Sequence, residues 1–346
     1  HRDLHSFPTR RSSDLRTDVQ PSLPFHCMKS NGSSNANSRK RIPLVVIGSP
    51  TATGKTRLAI ELAKTFGGEI LGADSLQVYR CLDIGTAKPT LAQRREAVHH
   101  LIDVVNPDEP FNAAMYADLA GRVIADLNQA GKPIIVAGGT GLYIRALLRG
   151  IIETPPVDDH LRAYYKDLVR RYGKTHLHEL LKERDPEAAL RIHPNDAIRM
   201  IRALEVIEQA GTSIVELHRR HALAEAPYRV CRIGLTLDRG ELKDRIARRT
   251  RQMLEDGLLD EVRGLLRRGY APSLKPLQSL GYRQAIAHLE GRLDQSALQE
   301  AISRETWRYA KRQMTWFGAA ADTHWFHPDS VGEVLRVVRE FLGPHQ

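Results

Sequence analysis

A short apolar run, Leu44-Val45-Val46-Ile47, leads directly into Gly48-Ser49-Pro50-Thr51-Ala52-Thr53-Gly54-Lys55-Thr56, and then into a segment whose Leu58, Leu62, Ala63 and Phe66 share one helical face. Strand, glycine-containing loop, helix is the order of a phosphate-binding P-loop, G-x-x-x-x-G-K-[ST]. In that loop backbone N–H groups cradle phosphate oxygens, the lysine reaches the terminal phosphates and the hydroxyl ligates Mg2+. The spacing here departs from the pattern: Ser49 occupies the first-glycine position and Gly48 falls one place early. Pro50, Thr51 and Ala52 still suit a tight turn, and Gly54 stays where backbone must approach a ligand. A strand that hands over to a helix in this way commits the chain to an α/β architecture with a parallel sheet.

The rest of the chain supports that reading. Glu69-Ile70-Leu71-Gly72-Ala73 predicts a second buried strand ending at Asp74-Ser75, Leu101-Ile102-Asp103-Val104-Val105 a third, and Pro133-Ile134-Ile135-Val136-Ala137 a fourth that runs into Gly138-Gly139-Thr140-Gly141. A helix is expected over 113–129. Between Thr154-Pro155-Pro156 and Pro227 the strand signal vanishes, leaving polar helices broken at Tyr172-Gly173, Asp185-Pro186 and His193-Pro194-Asn195-Asp196. A strand returns at 231–237, followed by helices over 239–257, 259–269 and 295–318. The expected fold is therefore a P-loop NTPase-like parallel sheet flanked by helices, with an all-helical insertion domain. Its parts are a first core segment (42–150), the insertion (151–228) and a second core segment (229–346). Ligands of such sheets bind off the C-terminal ends of the strands, where the phosphate loop, Asp74 and Thr140 converge.

Residues 1–41 are read as a disordered or artefactual tail. HRDLHSFPTRRSSDL has no apolar periodicity and resembles a translated sequencing adapter, Met28 is taken as the start, and the stretch after it is rich in Ser and Asn. Half of the net charge of +10 lies in this tail, so the total says little about a nucleic-acid partner; a basic face is needed. No apolar run is long enough to span a membrane. Cys27, Cys81 and Cys231 are too far apart for a disulfide framework or a C-x-x-C zinc site.

Three features carry chemistry. On a helical wheel Arg249 falls inside the apolar face made by Leu242, Ile246 and Met253, with Arg245 flanking it. A guanidinium there requires a carboxylate or a bound phosphate, or snorkels to solvent. Arg304, Arg308, Lys311 and Arg312 form one cationic stripe on the 295–318 helix, which either contacts phosphate or is simply solvated. Asp74, just past a strand end, is a Mg2+ ligand, a general base or a loop cap. An absence is equally informative: the strand ending in Asp that NTPases use is missing, since 133–137 runs into Gly138-Gly139, and Asp103 is the only substitute.

Seven motifs in order give this chain its resemblance to the tRNA dimethylallyltransferases of bacterial type. They are Pro50-Thr51-Ala52-Thr53-Gly54-Lys55-Thr56, Asp74-Ser75-Leu76-Gln77-Val78-Tyr79, Asp83-Ile84-Gly85-Thr86-Ala87-Lys88-Pro89, Gly138-Gly139-Thr140-Gly141-Leu142-Tyr143, Arg191-Ile192-His193-Pro194-Asn195-Asp196, Ser279-Leu280-Gly281-Tyr282-Arg283 and Ala310-Lys311-Arg312-Gln313-Met314-Thr315-Trp316. The resemblance implies transfer of a dimethylallyl group from dimethylallyl diphosphate to the exocyclic amine of the adenine 3′-adjacent to the anticodon of tRNA, with release of diphosphate. It implies catalytic roles for Asp74, Thr51 and Arg249. The diphosphate would be held by Ser49, Pro50, Thr51, Ala52, Thr53, Gly54, Lys55, Thr56 and Arg249, with Mg2+ on Thr56. Contacts with the tRNA anticodon stem-loop would come from Asp74, Ser75, Leu76, Gln77, Thr140, Arg199, Arg202, Gly281, Tyr282, Arg283, Arg308 and Lys311. Ser49 stands where the family usually has glycine. A cytoplasmic monomer with no membrane contact and no obligate protein partner is expected. The competing readings are a small-molecule or nucleoside kinase using the same loop with ATP, and a non-catalytic tRNA- or nucleotide-binding protein indifferent to loss of Asp74.

Overall fold

The computed structural model describes residues 41–152, 154–221 and 227–343, so the tail expected over 1–41 lies, but for Arg41, outside the described residues. Strand β1 (Ile42–Gly48) passes through loop 49–54 into helix α1 (Lys55–Phe66), and β2 (Glu69–Gly72) follows. After α2 (Leu91–Glu96) and β3 (His99–His100) come α3 (Ala113–Gln129), β4 (Ile134–Gly138) and α4 (Gly141–Arg149). Four helices succeed them: α5 (Asp159–Arg184), α6 (Pro186–Arg191), α7 (Ala197–Ala210) and α8 (Ile214–His221). The chain ends with β5 (Tyr228–Leu235), α9 (Arg239–Glu255), α10 (Leu258–Arg267), α11 (Tyr282–Leu289), α12 (Gln295–Gly318), β6 (Thr323–Phe326) and α13 (Val331–Leu342).

The strands form one sheet in the order β3-β2-β4-β1-β5-β6, and every pairing is parallel. Successive strand residues face opposite sides, so a strand buried on both faces feeds two cores. Leu44 and Val46 of β1 join the core under α3, α4 and α10–α12, whereas Val45 and Ile47 join the one under α1 and α13. Helices α5–α8 close around a core of their own that includes Tyr165, Leu177, Leu181, Met200 and Leu204. The breaks expected there are present. Gly173 interrupts α5 with a φ of 81°, the Asp185 carboxylate accepts from Ala188 N at 3.0 Å, and that of Asp196 accepts from Arg199 N at 3.2 Å.

One predicted strand is displaced. Residues 101–105 turn through left-handed conformations at Leu101 and Asp103 instead of pairing with β2, and β3 lies just before them at His99–His100. The cause is Asp103, whose carboxylate is drawn to Lys88 Nζ at 2.7 Å and Arg94 at 2.8 Å. The returning sheet strand also begins at Tyr228, three residues earlier than the alternation implied.

The strand-end glycines have a steric explanation. A Cβ on Gly138 would lie 2.1 Å from Ala73 O, and one on Gly139 would lie 2.3 Å from Gln313 Nε2. The ends of β2 and β4 therefore approach more closely than any side chain permits. Gly138→Ala is expected to lower stability by about 1–3 kcal/mol or more, because the clash is with backbone that cannot rotate away; urea denaturation of the purified variant measures this.

Candidate active site

At the C-terminal edge of the sheet lies a cavity of about 680 Å³. Its walls bring together Thr51, Ala52, Gly54, Lys55, Thr56, Asp74, Ser75, Leu76, Gln77, Thr140, Arg249 and Gly281, which are separated by more than 200 positions in the chain. Beneath the loop, Ser49 and Thr53 are fully buried. The Thr53 hydroxyl donates to Pro50 O at 2.9 Å and lies 3.2 Å from Ser49 Oγ. The left-handed conformations of the loop fall on Ala52 (φ 66°) and Gly54 (φ 95°). Ser49 is therefore accommodated without strain: its position does not require the glycine that the pattern prescribes.

The site is electrostatically unbalanced. Lys55 Nζ donates to the carbonyls of Ser49 (2.8 Å) and Pro50 (2.6 Å), neither of which carries charge. Arg245 pairs with Glu241 at 2.8 Å, but among the described residues no carboxylate comes within ion-pair distance of Arg249, and Asp74 acts on it only from farther away. Burial lowers the pKa of Arg249, with Asp74 opposing the shift. Burial, and then the charge of Arg249, depress Lys55 from 10.5 to about 7, again against Asp74. Two desolvated cations thus share one carboxylate, an arrangement that favours uptake of an anion.

Asp74 holds the acidic end. Its Oδ1 accepts from Leu76 N at 2.9 Å and Gln77 N at 3.4 Å, which is the capping role, while among the described residues no donor reaches Oδ2. Thr140 Oγ1 accepts from Ser75 N at 3.0 Å and so joins the β2 and β4 loops. Sequence reasoning missed two supports on α12. Gln313 accepts from Thr51 N at 2.9 Å and donates to Gly139 O at 2.8 Å, stitching the phosphate loop to the β4 loop. Tyr309 lines the cavity, and burial and the nearby Asp74 push its phenol up to about 12. The signal was present: Thr306, Tyr309 and Gln313 put polar groups on the helix face that also carries Ile302, Ala310 and Phe317.

Several residues expected to meet RNA lie elsewhere. Tyr282 is fully buried, packs against Gly85 and donates its hydroxyl to Glu261 at 2.6 Å, so it is part of the framework and not of the surface. Arg202 is occupied by Glu205 (3.1 Å), Thr154 Oγ1 (2.7 Å) and Pro155 O (2.7 Å). Arg199, Arg283, Arg308 and Lys311 are exposed, as are Arg304 and Arg312 of the same stripe. The stripe is partly neutralised, since Arg304 pairs with Glu300 at 3.3 Å and Arg308 with Glu305 at 2.5 Å.

Residues 77–320 match the family model described as IPP transferase. The chain is 54% identical over 299 residues to tRNA dimethylallyltransferase 2 of Syntrophus aciditrophicus, covering 86% of this chain and 96% of that protein. It is 48% identical over 304 residues to the tRNA dimethylallyltransferase of Syntrophobacter fumaroxidans, covering 88% of this chain and 89% of that one. Among solved structures, the tRNA isopentenylpyrophosphate transferase of Bacillus halodurans superposes with a TM-score of 0.64 at 38% identity, covering 87% of this chain and 96% of that one. A eukaryotic dimethylallyltransferase acting on tRNA superposes with a TM-score of 0.70 at 26% identity, covering 83% of this chain and 74% of that one.

The depressed Lys55 makes anion binding dependent on pH. Sulfate, which does not titrate in this range, should bind roughly tenfold more weakly at pH 8 than at pH 6, as the lysine loses its proton above about 7. Lys55→Arg should remove that dependence, and calorimetric titration at the two pH values reads both. The sign for folding is the reverse: the unfolded chain keeps the proton up to 10.5, so the free protein gains stability as the pH rises from about 7 towards that value.

Proposed function

The chain belongs to the tRNA dimethylallyltransferase family, and we propose that the dimethylallyl group it transfers to tRNA comes from dimethylallyl diphosphate and is placed on the exocyclic amine of the adenine 3′-adjacent to the anticodon. The observation that carries this reading is the pair of desolvated cations, Lys55 and Arg249, with a carboxylate, Asp74, one of whose oxygens no donor among the described residues reaches. An allylic C–O bond breaks with positive charge on carbon and negative charge on the departing diphosphate. Donors aimed at that developing negative charge lower the barrier. Backbone N–H groups of the loop, Lys55 and Arg249 supply them, and Thr51 touches the bridging oxygen.

Asp74 receives the proton released by the amine as the new C–N bond forms. Thr140, tied to Ser75, lines the passage where donor and acceptor meet. Mg2+ fits the donor set as an ion held chiefly by the substrate: no group of three His, Cys, Asp or Glu side chains suited to a metal occurs among the described residues, and the Thr56 hydroxyl lines the cavity. When bound there it would neutralise diphosphate charge. An adenine stacked in an anticodon loop cannot reach a buried carbon, so it is flipped into the cavity. Helices α5–α8 act as the insertion domain that grips the stem-loop, with Arg199, Arg308 and Lys311 at the RNA surface. None of the helices in the described residues is long and apolar enough to cross a membrane, and we place the reaction in the cytoplasm.

Asp74→Asn should lower transfer of radiolabel from dimethylallyl diphosphate into unmodified tRNA by about 10²–10⁴-fold while leaving donor affinity near the wild-type value. Label appearing instead from γ-labelled ATP, without need of tRNA, would overturn the reading in favour of a kinase.

A further inference from the structure

We infer that Gln77 determines acceptor specificity: its side-chain oxygen and the second carboxylate oxygen of Asp74 form a pair of acceptors that demands a primary amine on the base. The inference rests on the reaction proposed above and names the group that this site reads. The Gln77 amide has a defined orientation, because its Nε2 donates to Thr86 O at 3.1 Å and Ala87 O at 3.3 Å, and carbonyls can only accept. Oε1 is therefore turned away from both, and among the described residues no donor reaches it. Gln77 and Asp74 both line the cavity.

The two carbonyls are themselves held firmly. The Glu261 carboxylate accepts from the backbone N–H groups of Asp83 (2.9 Å), Ile84 (2.7 Å) and Gly85 (3.2 Å), as well as from the Tyr282 hydroxyl. From the other side Lys88 Nζ, almost wholly buried, bonds Asp83 at 2.6 Å and Asp103 at 2.7 Å. The loop that orients Gln77 is thus clamped on both flanks, and a rigid support is what an acceptor needs to discriminate. The cavity wall carries two cations, Lys55 and Arg249, within electrostatic reach of Asp74, and adds the Gln77 oxygen as a neutral acceptor.

An exocyclic amine presents two N–H bonds, one for each acceptor. In the transfer step the amine nitrogen bonds to the allylic carbon, the C–O bond breaks with its electron pair going to diphosphate, and Asp74 takes one proton. The other N–H stays on nitrogen and keeps its bond to Gln77. Once Asp74 has passed its proton to solvent and is again a carboxylate, the product amine, with a single N–H, no longer satisfies both acceptors, so the site favours its release and refuses a second alkylation. A buried acceptor left without a donor is what makes such sites selective.

The test uses two anticodon stem-loop RNAs that differ only in carrying adenine or N6-methyladenine at the acceptor position, with radiolabelled dimethylallyl diphosphate. Wild-type protein should show a kcat/KM at least about 100-fold lower for N6-methyladenine. Gln77→Met should lose about tenfold on adenine and narrow the gap between the two RNAs, with the inhibition constant of inorganic diphosphate unchanged. The gap is a ratio within one protein, so partial unfolding of the variant does not alter it; if Gln77→Met does not fold, Gln77→Leu, which also removes the acceptor oxygen, is read in its place with the same expected narrowing. Equal use of both RNAs by the wild type, or an unchanged gap in Gln77→Met, would overturn the inference. No transfer to either RNA by the wild type would instead sink the underlying reaction.

Discussion

Everything at the edge of this sheet is organised around two positive charges that protein alone does not neutralise. Lys55 is brought there by the start of α1 and Arg249 by the inner face of α9, and each is desolvated by the helices around it. Among the described residues Asp74 is the carboxylate that offsets them, and part of its capacity goes to capping its own turn. Such a constellation lowers the stability of the empty protein and raises its affinity for an anion, a trade characteristic of catalytic sites. In the reaction proposed, a polyanionic leaving group would turn that cost into stabilisation at the moment when charge develops.

The scaffold is consistent with this demand. Close approach of β2 and β4, possible because position 138 is glycine, sets Ser75, the neighbour of Asp74, against Thr140. Gln313 then fixes the phosphate loop against the β4 loop from above. Helix α12 thus has two faces with separate work: an inner one that holds the loops, and an outer cationic one open to a phosphate backbone. Glu261, Tyr282 and Lys88 do for loop 83–88 what Gln313 does for the phosphate loop.

Much of this was legible in the chain itself, because it follows from periodicity. The run 44–47 had to be a doubly buried strand, α3 and α12 fall on the residues their patterns indicated, and the wheel that put Arg249 on an apolar face foretold a cation with an unmet need. What escaped were features set by tertiary partners. The strand expected at 101–105 gave way to ion pairs from Lys88 and Arg94, which no local pattern reveals. Tyr282, in a motif that the resemblance assigns to RNA contact, is drawn inward by Glu261, some twenty residues earlier in the chain. Strand β6 is four residues at the sheet edge, too short for alternation to be read. The serine in the phosphate loop looked like a defect only because the pattern presumes where left-handed backbone is needed.

The central claim is that Lys55 and Arg249 act together on one diphosphate. A double-mutant cycle with Lys55→Met and Arg249→Met, reading the affinity for inorganic diphosphate by calorimetry, tests it directly. Each single substitution should weaken binding, and the pair should be non-additive, with a coupling energy of about 1–3 kcal/mol. Additive losses within about 0.5 kcal/mol, or undiminished binding in either single variant, would show that the two cations do not share a ligand and would contradict the account.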